Sequence, residues 1–386
     1  MSRAVSAAVR GAPPARWPFL AIGSAAALIA AATASDQAAG AARQDWPPFL
    51  LVTGLLVLGQ VAWEDGLFQA AGEWIGNQVR RSAGLLLASA VLVALVTAVL
   101  NLDTSVAFLT PVLLHAARRR RITEAPLLYL SIFLANGASL LLPGSNLTNL
   151  IVLGRIHESG ADFARHMLPV WLASVAAVTI VVLVAFRREL APSPEPATDP
   201  IPRPRVGLGM VCVGAAIVAV VVLPPAPMAL AVAGLGVVAM GRRLLERRIG
   251  WHRAVAGLNL PVVIGLFGLA VGLGTLGRVW SGPADLLATM SSWESAAFSG
   301  LLSAAFNNLP AASLLAARPP KDPYALLIGL NLGPNLVVTG ALAGLLWLQV
   351  GRLAGARPSW ARMTRLGLVV VPVSMAAALA ALTAAH

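Results

Sequence analysis

Apolar runs about 17–25 residues long alternate with short polar stretches along most of the chain and predict bilayer-spanning helices. The spans fall at about 18–34, 46–64, 125–154, 167–186, 207–224, 226–241, 258–276, 323–348 and 363–383. Two of them are interrupted, by Pro143-Gly144-Ser145-Asn146-Leu147-Thr148-Asn149 and by Leu332-Gly333-Pro334-Asn335-Leu336-Val337-Val338-Thr339-Gly340. A spanning helix satisfies its own backbone, so Gly and Pro with Ser, Asn and Thr at bilayer depth are tolerated only where protein or a water-filled cavity receives the freed groups. A pair of such breaks in corresponding places of two halves predicts broken helices around a binding site, the pattern of a secondary transporter.

Two further apolar segments, 83–117 and 284–317, exceed one span, and each contains a polar centre. The first holds Asn101-Leu102-Asp103-Thr104-Ser105, the second Asn307-Asn308-Leu309-Pro310. Both are expected to be re-entrant hairpins. Two ordinary spans per segment is the alternative, but Arg80-Arg81 and Arg118 to Arg121 place both ends of the first segment on the positive, cytoplasmic side. With that topology every Lys and Arg lies in a cytoplasmic segment except Arg43, Arg155, Arg165, Arg278, Arg318 and Lys321.

The predicted fold is therefore an all-α polytopic membrane protein with two inverted repeats, each with a re-entrant hairpin and a broken transmembrane helix. The first repeat covers 1–186, with its hairpin at about 83–117 and broken helix at about 125–154. Residues 187–225 form a Pro-rich cytoplasmic linker and a connector helix. The second repeat covers 226–386, with its hairpin at about 284–317 and broken helix at about 323–348. The N-terminus is expected in the cytoplasm and the protein in the inner membrane. Arg3, Arg10, Arg16 and Ala32-Thr33-Ala34 also fit a cleavable leader, yet the repeat needs this segment as a retained span.

Composition agrees, with 58% hydrophobic and 11% charged residues among 386, where a soluble domain carries about 25% charged. A net charge of +12 would suit nucleic acid, but the basic residues sit in short clusters between apolar segments. Nucleic acid is therefore excluded as a partner. The single Cys212 rules out a disulfide framework and a thiolate metal cage, and Lys321, the sole lysine, lies in no phosphate-binding loop. No metal or cofactor is expected. His115, His157, His166 and His252 lack ligand spacing and read as interfacial, while Gly207-Leu208-Gly209 reads as a helix end or packing point. Glu64 and Asp65, at a predicted interface, read as a solvated cap.

Several of these stretches, in order, resemble the arsenite efflux permease family of the ion transporter superfamily, which is related to citrate and dicarboxylate permeases. They are Glu64-Asp65-Gly66-Leu67-Phe68, Asn101-Leu102-Asp103 with Phe108-Leu109-Thr110-Pro111, and Ala135-Asn136-Gly137-Ala138-Ser139 leading into Gly144 to Asn149. Asn307-Asn308-Leu309-Pro310 follows, then Leu332-Gly333-Pro334-Asn335, Thr339-Gly340-Ala341-Leu342-Ala343, Leu345-Leu346-Trp347-Leu348 and Ser359-Trp360. The similarity runs from about residue 50 to the end. Two departures stand out: Leu102 separates Asn101 from Asp103, where the family usually has Asn-Asp, and Gly137 stands where Thr is frequent. The resemblance implies a homodimer, proton exchange or uniport, and in some systems a separate peripheral ATPase subunit.

The residues themselves point to the cargo. Two hairpin tips and two broken helices are expected to bring Asn101, Asp103, Thr104, Ser145, Asn146, Thr148, Asn307, Asn308, Asn335 and Thr339 toward one volume. The same motifs add Asn136, Gly144, Asn149, Pro310 and Gly333. Apart from Asp103 this lining is neutral and hydrogen-bonding, which suits an uncharged trihydroxide such as arsenous acid held through oxygen and nitrogen contacts. Soft thiolates would hold a metalloid far more tightly, and one cysteine cannot make a three-thiolate cage. Freed carbonyls with Ser, Thr and Asn oxygens would also suit sodium. Asp103 either couples protons, since an intramembrane carboxylate is costly unless paired or functional, or caps the outgoing hairpin arm. The sequence thus predicts export of arsenite, antimonite or a related small neutral oxyacid by alternating access, driven by protons. A sodium- or proton-coupled dicarboxylate or citrate transporter is the alternative. A membrane-embedded enzyme would need a nucleophile and base, and no His or Cys lies near the polar motifs.

Overall fold

A computed structural model describes residues 16–78, 81–156, 158–190, 207–246 and 260–385. Arg3, Arg10, His157, His252 and most of the Pro-rich linker lie outside the described residues. Seventeen α-helices and no strands are found among them. They are α1 Arg16–Thr33, α2 Ser35–Glu64, α3 Leu67–Gln78, α4 Ser82–Val99, α5 Leu102–Arg119, α6 Ala125–Ala138, α7 Leu147–Ile156 and α8 Gly160–Ala185. After α9 Leu208–Val222 come α10 Pro225–Leu245, α11 Leu260–Val279, α12 Gly282–Thr289, α13 Ser292–Phe306, α14 Asn308–Leu315, α15 Pro323–Leu332, α16 Leu342–Leu353 and α17 Trp360–Ala385.

Burial is inside out relative to a soluble bundle. Every residue of α6 from Pro126 to Ala138, and of α15 from Ala325 to Leu332, is buried, so these two half-helices form the centre. A helix apolar all round must be covered on all sides. The outer helices instead expose large apolar side chains, including Leu172, Ile180 and Val184 of α8 and Leu368, Val369 and Val373 of α17. In water such continuous exposure would be a liability; against lipid tails it costs nothing. Six helices among the described residues, α2, α4, α8, α10, α11 and α17, are long and apolar enough to cross a bilayer.

Helices nine apart in order play matching parts in the packing. The first hairpin arm α4 lies on α6, as α13 lies on α15. The second arm α5 lies on α16, as α14 lies on α7. At the periphery α1 packs on α11 and α2 on α10, while the closing helices α8 and α17 pack on each other. Small residues permit these approaches: a side chain at Gly23 or Gly265 would collide with the facing backbone of the α1–α11 pair. Likewise Gly329 and Gly333 sit on Ala296, Ser299, Gly300 and Ser303 of α13.

Both long apolar segments fold back on themselves. Arg119, at the end of α5, pairs with Glu73 of α3, just before α4 begins, so the open ends of α4 and α5 lie together. Ser292 at the start of α13 donates to Asp322, beyond α14, in the same way. The second hairpin starts at Ser292 and not near 284. Residues 282–289 form the separate helix α12, and Ser291 with Glu294 closes a capping box that starts α13 afresh. Two more helical stretches are absent from the apolar pattern. α2 begins at Ser35, eleven residues before its apolar run, because Arg278 bonds Gln44 and the Gly40 carbonyl and so supports the polar first turns. α3 is a short amphipathic helix below spanning length.

Candidate functional site

The predicted breaks in the two central spans are present. After Ala138 the chain leaves the helix, makes a 3-10 turn at Pro143–Ser145 and resumes at Leu147. After Leu332 it passes through 3-10 turns at Gly333–Leu336 and Val338–Gly340 and resumes at Leu342. Four carbonyls freed at the first break, those of Gly137, Ala138, Ser139 and Leu142, are taken up by side chains. Ser174 Oγ donates to the Gly137 carbonyl at 3.0 Å, and Trp171 Nε1 to that of Ala138 at 3.0 Å. Asn149 Nδ2 donates to the carbonyls of Ser139 at 2.7 Å and Leu142 at 3.1 Å, and Ser145 Oγ serves the same two at 2.5 Å each. Orphaned carbonyls in a dry interior would otherwise cost about 1–3 kcal/mol each.

The two breaks are also tied to each other. Asn331, on α15, accepts at Oδ1 from Asn146 Nδ2 at 2.5 Å and from Thr148 Oγ1 at 2.6 Å. Its Nδ2 donates to Asn149 Oδ1 at 2.7 Å. One turn on, Asn136 Nδ2 donates to Asn335 Oδ1 at 2.8 Å, and Asn335 Nδ2 to the Phe133 carbonyl at 3.1 Å. Of the residues singled out in the sequence, Asn136, Ser145, Asn146, Thr148, Asn149 and Asn335 are thus brought together, all buried, with Gly144 and Gly333 in the same turns. Asn331, the hub of this network, was not among them. Its signal was present as a lone amide inside a buried apolar half-helix, but it precedes the Gly-Pro break instead of lying in it.

Each hairpin tip turns on an asparagine. Asn101 Oδ1 accepts from the Thr104 amide at 2.7 Å and caps α5, while Asn307 Oδ1 accepts from the Leu309 amide at 3.2 Å and caps α14. Asn307, with φ of 79°, occupies the left-handed region that asparagine tolerates better than most residues. Its Nδ2 donates to the Thr339 carbonyl at 3.1 Å, joining the second tip to the second break. Thr339 itself is exposed, whereas Asn308 and Pro310 are buried in α14.

With Asn101 as the cap, Asp103 is left without that role. Asp103 Oδ1 is buried with no hydrogen-bond partner among the described residues, and so are Asn101 Nδ2, Thr104 Oγ1 and Ser105 Oγ of the same turn. The Asn136 Oδ1 atom is unpartnered as well. Thr110 of α5 bonds Ser131 of α6 at 3.1 Å, and the two helices join through a short turn, so they run antiparallel and Asn136 falls near the level of Ser105. Broken-helix amides that satisfy one another therefore lie beside a hairpin tip whose polar atoms do not.

One charged position differs from the sequence reading, and two histidines read as interfacial are half-exposed and pair with glutamates. Asp65 is no solvated cap: it is buried and pairs with Arg243 of α10, which also holds Glu246 at 3.3 Å. His166 Nδ1 lies 2.7 Å from Glu158 Oε1, and Tyr324 Oη of α15 donates to the same oxygen at 2.8 Å. His115 Nε2 stands 3.6 Å from Glu73 Oε1. Among the described residues no group of His, Cys, Asp and Glu is arranged to hold a metal ion.

Buried broken helices, folded-back hairpins and a lipid-compatible exterior define a multi-pass membrane transporter. The chain belongs to the citrate transporter family, which it matches over residues 13–329. It is 24% identical over 369 residues to the arsenical pump membrane protein of Escherichia coli, covering 87% of this chain and 86% of that protein. It is 28% identical over 373 residues to a protein of Mycobacterium tuberculosis named only as a transporter, with 86% and 85% covered. A 46 kDa membrane protein of Mycobacterium leprae is 26% identical over 368 residues, again with 86% and 85% covered. Among solved structures, the YdaH transporter of Alcanivorax borkumensis shares the fold, with a TM-score of 0.57 at 15% identity over 90% of this chain and 86% of that one.

Proposed function

We propose that this transporter exports arsenite, antimonite or a related small neutral oxyacid by alternating access, with protons as the coupling ion and Asp103 as their carrier. One observation carries the reading. The α5 tip presents a buried carboxylate oxygen, Asp103 Oδ1, beside the Asn101 amide nitrogen and the Thr104 and Ser105 hydroxyls, all four atoms unpartnered and with no basic side chain among the described residues bonded to them. Such a set can exchange for the hydration shell of an uncharged hydroxide. A citrate or dicarboxylate anion would meet the Asp103 carboxylate with no cation to offset it. The names of the arsenical pump relatives point the same way. The exchange of packing partners at an offset of nine helices supports two repeats, and the arginines at both ends of the first hairpin, Arg80-Arg81 and Arg118 to Arg121, support the orientation with the N-terminus in the cytoplasm.

Citrate transport is the second reading, favoured by the family name and by the α5 and α14 N-termini, whose dipoles can hold an anion. Expression in arsenite-sensitive cells separates the two. Export predicts lower arsenite and antimonite accumulation, and vesicles that take up neither citrate nor succinate. Cation-dependent citrate or succinate uptake with unchanged arsenite sensitivity would establish the second reading.

A further inference from the structure

One face of α5 forms a continuous seam with α2 and α3. Thr104, Phe108, Val112, His115 and Arg119 recur at helical spacing and meet that wall in layers. At the tip Thr104 abuts Gly59 so closely that any side chain there would collide with it. About 6 Å further along the helix, Phe108 completes a three-ring cluster, 5.4 Å from Trp63 and 5.5 Å from Phe68 with interplanar angles of 26° and 9°, while Trp63 and Phe68 lie 6.5 Å from each other. Beyond this stack Val112 abuts Gly72. Behind them lies a cavity of about 20 Å³ lined by Gln69, Gly72, Glu73, Val112, His115 and Ala116.

That cavity is large enough for one water molecule, which needs about 10–15 Å³ and two or more polar partners. Gln69 Oε1, buried and unpartnered, supplies one, and Glu73 and His115 supply others. At the far end Glu73 is engaged by Arg119 and His115, so the seam closes on an ion pair. Polar groups therefore lie on both sides of a single aromatic layer: the unpartnered tip beside Thr104 on one side, the Gln69–Glu73 pocket, with room for one water, on the other.

We propose that this seam is the opening between the hairpin tip and the Glu73 face of the protein. Phe108, packed against Trp63 and Phe68, is its barrier, and the Glu73–Arg119 pair is the outer latch. Both cargo and coupling proton pass between α5 and α3 when the ring leaves the stack. The assignment rests on the transporter reading but not on any particular substrate.

Cysteine labelling with a membrane-impermeant cationic methanethiosulfonate tests it in proteoliposomes, in a Cys212→Ser background. Thr104→Cys should react slowly, and adding Phe108→Ala should speed its labelling at least tenfold, while Glu73→Gln should speed it severalfold. His115→Cys, whose position is 41% exposed at the far end of the seam, should react quickly whether residue 108 is Phe or Ala. Should the alanine variant not fold, Phe108→Leu keeps apolar bulk without the stack and should give a smaller acceleration of the same sign. Equal Thr104→Cys rates with and without the ring, in monodisperse protein, would overturn the proposal. Since labelling requires no cargo, a failure of arsenite export leaves this outcome independent and readable.

Discussion

Asn331 Oδ1 receives hydrogen bonds from Asn146 Nδ2 at 2.5 Å and Thr148 Oγ1 at 2.6 Å, so a residue of the second half holds both sides of the turn that restarts the first broken helix. Asn331→Ala should strip three bonds at once, since Asn149 Oδ1 loses its donor too. At roughly 0.6 kcal/mol for an interhelical bond in a membrane protein, the expected loss is about 2 kcal/mol. Thermal unfolding in detergent should show it. Asn146→Ala added to Asn331→Ala should cost clearly less than the sum of the two, and strict additivity would contradict a shared network.

Asp103→Asn separates coupling from stability. The carboxylate is buried and its Oδ1 has no partner, so neutralising it removes a desolvation cost and should leave the melting temperature unchanged or raised. Transport should nevertheless fall at least tenfold and lose its dependence on a proton gradient in vesicles. A variant that still transports with a proton gradient would remove Asp103 from coupling, and one that unfolds would assign it a structural role instead.

The pair of Asp65 and Arg243 links the α2–α3 junction to the end of α10, with both side chains buried. Arg243→Ala leaves Asp65 as an uncompensated buried charge and should cost about 3–5 kcal/mol, whereas Asp65→Ala leaves Arg243 paired with Glu246 and should cost less. The double replacement Asp65→Leu with Arg243→Met should recover most of that loss. Expression level and melting temperature of the three variants check this.

Gly333 faces Gly300 and Ser303 of the second hairpin so closely that a methyl group has no space. Gly333→Ala should therefore force α13 away from α15 and destabilise the protein by about 1–3 kcal/mol. Gly214, whose Cβ would meet nothing nearby, supplies the control: Gly214→Ala should fold as well as the parent or better. A Gly333→Ala protein as stable as the Gly214→Ala control would remove the close approach as a constraint.

Much of the architecture is legible in the sequence because a bilayer leaves few choices. Apolar length fixes the spans, and polar residues with Gly and Pro at bilayer depth mark the two breaks and the Asn-turned tips. The sequence is less informative where an element draws support from elsewhere. The first turns of α2 are polar yet helical because Arg278 holds them, and α12 separates from the second hairpin because Ser291 and Glu294 start a new helix.

What the sequence by itself determined is the kind of protein this is: the polar interruptions have no stable alternative in lipid except burial against one another. Only the tertiary structure decided how the polar groups are divided. Amides at 136, 146, 149, 331 and 335 are spent on holding the halves together, while the tip at 101–105 keeps unmet hydrogen-bonding capacity. No spacing rule could make that division, because whether a buried amide is a strut or a ligand depends on which side chain of the other half faces it.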